Sequence, residues 1–375
     1  MRIARARIVP FALPLRAPLR TARGTMDVRR GVLVALESAD GAVGWGEGTS
    51  PDGFGTESFD ESLAASTRYC EALVSREPRK LEALFAELDA HPARAPTARF
   101  AVETALLDLA AQVRGLPLAD VLGEGRAARR SVPVNALLHE TEPDTAVEEA
   151  KRALAEGFTT LKLKVGAEAP SADRARLVAV HEALGDEADL RIDANGAWSP
   201  ELAISILRDL DSLDLELAEQ PVPADDVAGL ARVRAAVLVP IAADESVADF
   251  ARAARVLEAR AADALVLKPA ALGGLRAAAV LAQRARAAGV RVLVTSSIDG
   301  AIARAAAVAL AASLPDPLPA CGLATGALLA EDLATGPEPK DGFIDISESP
   351  GLGVAPVEGA LAEFATGATR ELTPA

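Results

Sequence analysis

Two cysteines, Cys70 and Cys321, are all that a chain of 375 residues contains. That count excludes a disulfide framework and a cysteine zinc site, and it makes a reducing, cytoplasmic setting the expectation. Aromatic residues make up only 3% of the chain, and Trp45 and Trp198 stand too isolated to form a platform for stacked bases. No apolar run approaches the roughly 18 residues that cross a bilayer. The apolar stretch after the basic first residues is broken by Pro10 and Pro14, which argues against a secretory signal. A net charge of −15 would repel nucleic-acid phosphates, so neither a membrane nor a nucleic acid is an expected partner. Lysine is rare too. Of 39 basic residues only six are lysine, and three of these, Lys162, Lys164 and Lys268, lie inside apolar, β-rich runs. A chain that otherwise writes positive charge as arginine keeps an ammonium at those three places.

What the chain does have is a change of grammar. Residues 1–50 read as antiparallel strands, with Gly31–Leu36 and Ala42–Glu47 flanking the turn signal Asp40-Gly41. Residues 56–125 read as helices, one of which contains Phe100–Ala110 and ends near Gly115. Strands followed by helices without alternation predict an α+β domain over 1–128. From 129 to 334, short β-rich runs alternate with Ala/Leu/Arg/Glu helices. They begin with Val132–Leu138, Thr160–Val165 and Leu190–Asp193, and the eighth is Ala320–Leu323. Eight units alternating in this way predict a closed α/β barrel of the TIM type, with 335–375 returning to the first domain.

Function in such barrels sits at the C-terminal strand ends. Those ends carry Lys162 and Lys164, then Asp193, Glu219, Asp244 and Lys268, at gaps from Lys164 of 29, 26, 25 and 24 residues. Strand side chains alternate, so Lys162 and Lys164 share one face while Leu161 and Leu163 take the other. Lys268 stands four strands away and faces them across the mouth. Three converging carboxylates need a cation, and an all-oxygen set suits Mg²⁺, with Mn²⁺ as a substitute. Two opposed lysines over a cation specify removal of a proton α to a carboxylate, through an enediolate, on a small carboxylate substrate. Taken singly, Asp193 and Asp244 could equally cap helices. Glu245 is expected to face away from Asp244, and His91, His139 and His181 are read as surface or packing residues.

These residues resemble the enolase superfamily. Lys162-Leu163-Lys164 is similar to the K-x-K motif of its muconate-lactonising branch. Asp193-Ala194-Asn195, Glu219-Gln220-Pro221, Asp244-Glu245-Ser246 and Lys268-Pro269 are similar to that branch's metal and second-lysine motifs. The resemblance implies a (β/α)7β barrel under a two-ended cap, with Lys164 as base and Lys268 and Lys162 as electrostatic partners. It implies Asp193, Glu219 and Asp244 as Mg²⁺ ligands. Thr295-Ser296-Ser297 stands where the mandelate-racemase branch would need a histidine, and where dipeptide epimerases would carry Asp-x-Asp. The run from Val294 to Gly300, with Cys321–Thr325 and Asp332, resembles the o-succinylbenzoate synthase family. That implies syn dehydration of 2-succinyl-6-hydroxy-2,4-cyclohexadiene-1-carboxylate, with Ser296, Ser297, Gly322 and Leu323 at the succinyl end. N-succinylamino-acid racemisation and dipeptide epimerisation are the rival activities. A non-catalytic carboxylate-binding barrel would be expected to have lost a lysine or a ligand. Segments 20–24 and 50–55 resemble capping loops, and the sequence allows a homo-oligomer without specifying one.

Overall fold

The Asp40-Gly41 signal produces the hairpin it predicts. In a computed structural model that describes residues 2–21, 24–50, 56–91, 93–357 and 359–374, Gly41 donates to the Ser38 carbonyl and Ser38 to the Ala42 carbonyl. The strands it joins are β2 (Gly24–Ser38) and β3 (Val43–Thr49), and β1 (Ile3–Thr21) pairs antiparallel with β2. Glycine at every second residue of β3 leaves one bare face. Gly44, Gly46 and Gly48 lie directly against backbone of the helix Pro96–Arg114, where a Cβ on Gly46 would collide with the Ala101 carbonyl oxygen. That helix is buried over nearly its whole length and ends at Gly115, whose φ of 68° supplies the left-handed cap. Gly46→Ala should therefore cost about 2–3 kcal/mol in denaturant unfolding, because neither backbone can retreat without opening the cap. A value within a few tenths would mean the two elements are less tightly packed than they stand.

The alternating region forms seven parallel strands: β5 (Ala136–Leu138), β6 (Thr160–Lys164), β7 (Asp189–Asp193), β8 (Leu217–Glu219), β9 (Ile241–Ala243), β10 (Ala264–Leu267) and β11 (Arg291–Val294). They are hydrogen-bonded in sequence order, as right-handed strand–helix units require. Two details depart from the sequence expectation. The run Val132–Leu138 is divided, because β4 (Ser131–Pro133) leaves the barrel and pairs antiparallel with β12 (Phe343–Asp345). The eighth run forms only isolated bridges, Cys321 to Val134 and Gly322 to Thr295. Pro317 and Pro319, which precede it, have no N–H to pair, while Cys321 N and Gly322 N donate to the Pro133 and Val294 carbonyls. Those bridges close the ring between its first and seventh strands.

Outward-facing Leu161, Leu163, Ile192, Leu265 and Leu267 join the main core beneath the helices, while Leu217, Ala242, Ala264, Val266 and Leu293 form a separate cluster plugging the barrel interior. The tail ends in β13 (Arg370–Leu372), which pairs with β1, so both parts of the chain outside the barrel share the cap sheet. No helix among the described residues is long and apolar enough to cross a membrane.

Candidate active site

Pleating and register together bring the charged residues to one rim. Lys164 is the neighbour of Asp193, and Asp193 of Glu219, across β6, β7 and β8. Asp244 and Lys268 each follow their strand by one residue. Each therefore sits at the C-terminal edge above the apolar plug, with the even positions of β6 and β10 turned inward.

The side chains meet. Lys162 Nζ lies 3.2 Å from Asp193 Oδ2 and 3.0 Å from Glu219 Oε1, and Lys164 Nζ lies 3.3 Å from the same Asp193 oxygen. On the other wall Lys268 Nζ is 2.6 Å from Asp244 Oδ2. Burial alone would lower the lysines. The carboxylates of Glu219 and Asp193 instead raise Lys162, and those of Asp244 and Glu245 raise Lys268. Burial would likewise raise Asp193, but Lys162 and Lys164 hold it well below the usual carboxylate range. Glu219 goes the other way. Burial, then the charge of Asp193, pushes it up to about 8.

The lysines differ in exposure. The side chain of Lys162 is 15% exposed and that of Lys268 22%, against 49% for Lys164, so Lys164 alone is open to an incoming molecule. Its Nζ is aimed by Asn195 Oδ1 at 2.6 Å, and Asn195 Nδ2 in turn donates to Glu245 Oε1 at 2.9 Å. Beneath it, Arg176 donates to the Lys164 carbonyl and pairs with Asp173, which accepts from Gly166 N.

Glu245 corrects the sequence reading. Extending strand alternation past Asp244 turned it away, but the chain leaves β9 at Asp244 and enters a 3₁₀ turn, Glu245–Val247, where period two no longer holds. Its contact with Asn195 brings it to the edge of the site. Gln220 was also missed. It is wholly buried with φ 38°, and its Oε1 accepts from Asp244 N and Ser246 N. The cap alternative for Asp244 finds no side-chain hydrogen bond to the turn it precedes, whereas Asp193 Oδ1 does accept from Asn195 N.

The donor set fits a hard dication. Asp244 Oδ1 is buried with no hydrogen-bond partner, a costly state that an ion would relieve, and three carboxylates supply only oxygen. As the side chains stand, no three acidic, histidine or cysteine groups among the described residues lie at metal-holding spacing. Ammonium groups lie against all three carboxylates, and an ion would require them to withdraw.

At the seventh strand end, Ser296 is buried and its hydroxyl lies 2.6 Å from Thr325 Oγ1, while Thr295 Oγ1 donates to the Gly322 carbonyl at 2.8 Å. Ser297 and Gly322 are partly exposed, whereas Leu323 is fully buried in the main core. Residues 22, 23 and 51–55 of the expected capping loops lie outside the described residues.

Residues 3–123 match the family described as mandelate racemase/muconate lactonizing enzyme, N-terminal domain, and residues 145–360 match the enolase C-terminal domain-like family. The L-Ala-D/L-Glu epimerase of Bacillus subtilis is 34% identical over 84% of this chain and 86% of its own length. The o-succinylbenzoate synthase of Thermobifida fusca is 46% identical over 58% of this chain and 66% of its own. Among solved structures, N-succinyl Arg/Lys racemase from Bacillus cereus superposes with a TM-score of 0.91 at 27% identity, covering 99% of this chain and all of that one (100%). The dipeptide epimerase of Enterococcus faecalis, complexed with Mg and the dipeptide L-Leu-L-Tyr, gives 0.88 at 29% identity, over 95% of this chain and 100% of its own.

Proposed function

The chain belongs to the muconate-lactonising branch of the enolase superfamily, and from that premise we propose that it is an o-succinylbenzoate synthase. Its substrate would be 2-succinyl-6-hydroxy-2,4-cyclohexadiene-1-carboxylate and its product 2-succinylbenzoate. Asp193, Glu219 and Asp244 would hold Mg²⁺, or Mn²⁺ in its place, which when bound supplies the positive charge that makes a proton α to a carboxylate removable.

The remaining work falls to the chain's own residues. Lys164, the exposed lysine steered by Asn195, takes the α-proton and then returns it to the departing hydroxide on the same face. Lys268, on the opposite wall, stabilises the negative charge that develops. Lys162 adds positive charge from below. Ser296, Ser297 and the backbone at Gly322 and Leu323 would receive the succinyl arm.

The observation that carries this reading is the state of Asp299. It is the one acid in the loop after β11, and it is 4% exposed, with Oδ1 accepting from Thr49 and Oδ2 from Ser297 N. No free carboxylate of that loop is left to receive a substrate ammonium, which disfavours a dipeptide. Hydroxyl and backbone donors, which suit a carboxylate arm, remain. The test is a spectrophotometric assay with the cyclohexadiene acid beside a panel of N-succinyl amino acids. Turnover of the amino acids alone would replace the dehydratase with a racemase.

The racemase is a second reading because two opposed lysines can exchange a proton on either face, and because N-succinyl Arg/Lys racemase shares the fold so closely. In deuterated water, a racemase would wash label into N-succinyl amino acids at a rate comparable to dehydration. Asp193→Asn checks the ligand assignment separately. It should weaken Mg²⁺ affinity by at least about tenfold, a larger effect than its cost in thermal stability. Unchanged Mg²⁺ titration would remove Asp193 from the metal set.

A further inference from the structure

The cap grips the loop that follows β11, and it does so from the inner face of its own sheet. On β3, Glu47 and Thr49 point away from the glycine face, toward the barrel. Arg29 on β2 joins them, since Gly31 is the cross-strand neighbour of Thr49. Arg29 is 1% exposed, Glu47 0% and Thr49 1%. Arg29 Nε donates to the Ile298 carbonyl at 3.0 Å, and Arg29 Nη2 donates to Thr49 Oγ1 at 2.6 Å. Thr49 Oγ1 in turn donates to Asp299 Oδ1 at 2.5 Å. Glu47 accepts from Gly300 N at 2.7 Å and from Ala303 N at 3.2 Å, seating the helix Ala301–Ser313.

The gripped segment is strained. Ile298 has φ 60°, a left-handed conformation that a β-branched side chain resists. Ser296 and Ser297 precede it immediately, and Asp299 Oδ2 accepts from Ser297 N at 2.9 Å. A loop left to itself would relax at Ile298 and carry both serines with it.

We propose that Arg29, Thr49 and Asp299 are positioning residues, through which the cap domain fixes the serine loop and so sets selectivity for the carboxylate-bearing arm of the substrate. The relay is directional. Thr49 receives from the guanidinium and donates to the carboxylate, so a residue without a hydroxyl breaks both bonds at once. The inference rests on the reading that this loop receives the succinyl arm.

The test compares two ligands at saturating Mg²⁺ by calorimetric titration: 2-succinylbenzoate, and 2-butyrylbenzoate, which lacks the terminal carboxylate. Wild type should prefer the first by at least about tenfold, the scale of one hydrogen bond to a charged group. Thr49→Val should bring that preference to within about threefold, with little change for 2-butyrylbenzoate, and Thr49→Ser should restore it. Asp299→Asn reports the same property should the valine variant not fold. A wild-type preference that the soluble variants keep, or an equal loss for both ligands, overturns the proposal. Wild type that binds neither ligand instead removes the succinylbenzoate reading on which the proposal stands.

Discussion

Lys164→Ala should reduce kcat for dehydration by about 10⁴-fold while the protein folds as before. The size follows from the double use of one side chain, which as the neutral amine removes the α-proton and as the resulting ammonium protonates the leaving hydroxide. Losing it removes the two transfers together. The harmless effect on folding follows from exposure. Half of the Lys164 side chain is in solvent, and its partners are Asn195 and one oxygen of Asp193, so its ion pair belongs with the weak surface class. Lys162 provides the contrast. It bridges Asp193 and Glu219 from a buried position, and its truncation should destabilise the protein as well as the reaction. Measuring kcat and the unfolding midpoint of both variants separates the roles. Substantial residual turnover in Lys164→Ala would show that the base is elsewhere.

Removing divalent metal should have an effect of similar size. After chelation by EDTA, activity should fall below about 1% and return with Mg²⁺ or Mn²⁺, since the Lewis-acid contribution is worth several kcal/mol. The same titration should be visible without substrate. An ion bound only by the native carboxylates raises stability by roughly 2.7 kcal/mol at a hundred times its dissociation constant. The buried, unpartnered Asp244 Oδ1 and the raised Glu219 mark where that energy enters. Activity that survives chelation would contradict the carboxylate assignment.

The barrel strands and their chemical rim were readable because both obey local rules. Period-two alternation told which face Lys162 and Lys164 would share, and the 24–29-residue spacing told that each charge would end a strand. Where a local rule stopped, the reading stopped. Glu245 was misplaced because a 3₁₀ turn replaced the strand one residue earlier than alternation assumed. The eighth strand was reduced to isolated bridges, with Pro317 and Pro319 just ahead of it unable to donate. The cap's grip on the serine loop could not be read at all. Arg29 and Ile298 are 269 residues apart, and Thr49 and Asp299 are 250, so only the folded ring brings them together.

The reduced eighth strand divides labour around the ring. Lysines and acids stand on strands joined by continuous ladders, whereas Thr295, Ser296, Gly322 and Thr325 straddle the seam, held by scattered bonds and by the cap. What the ring accepts can therefore be retuned at the seam without disturbing the strands that carry the lysines and acids. Kinship in this group should accordingly track the reaction's first step more faithfully than the molecule on which it is performed.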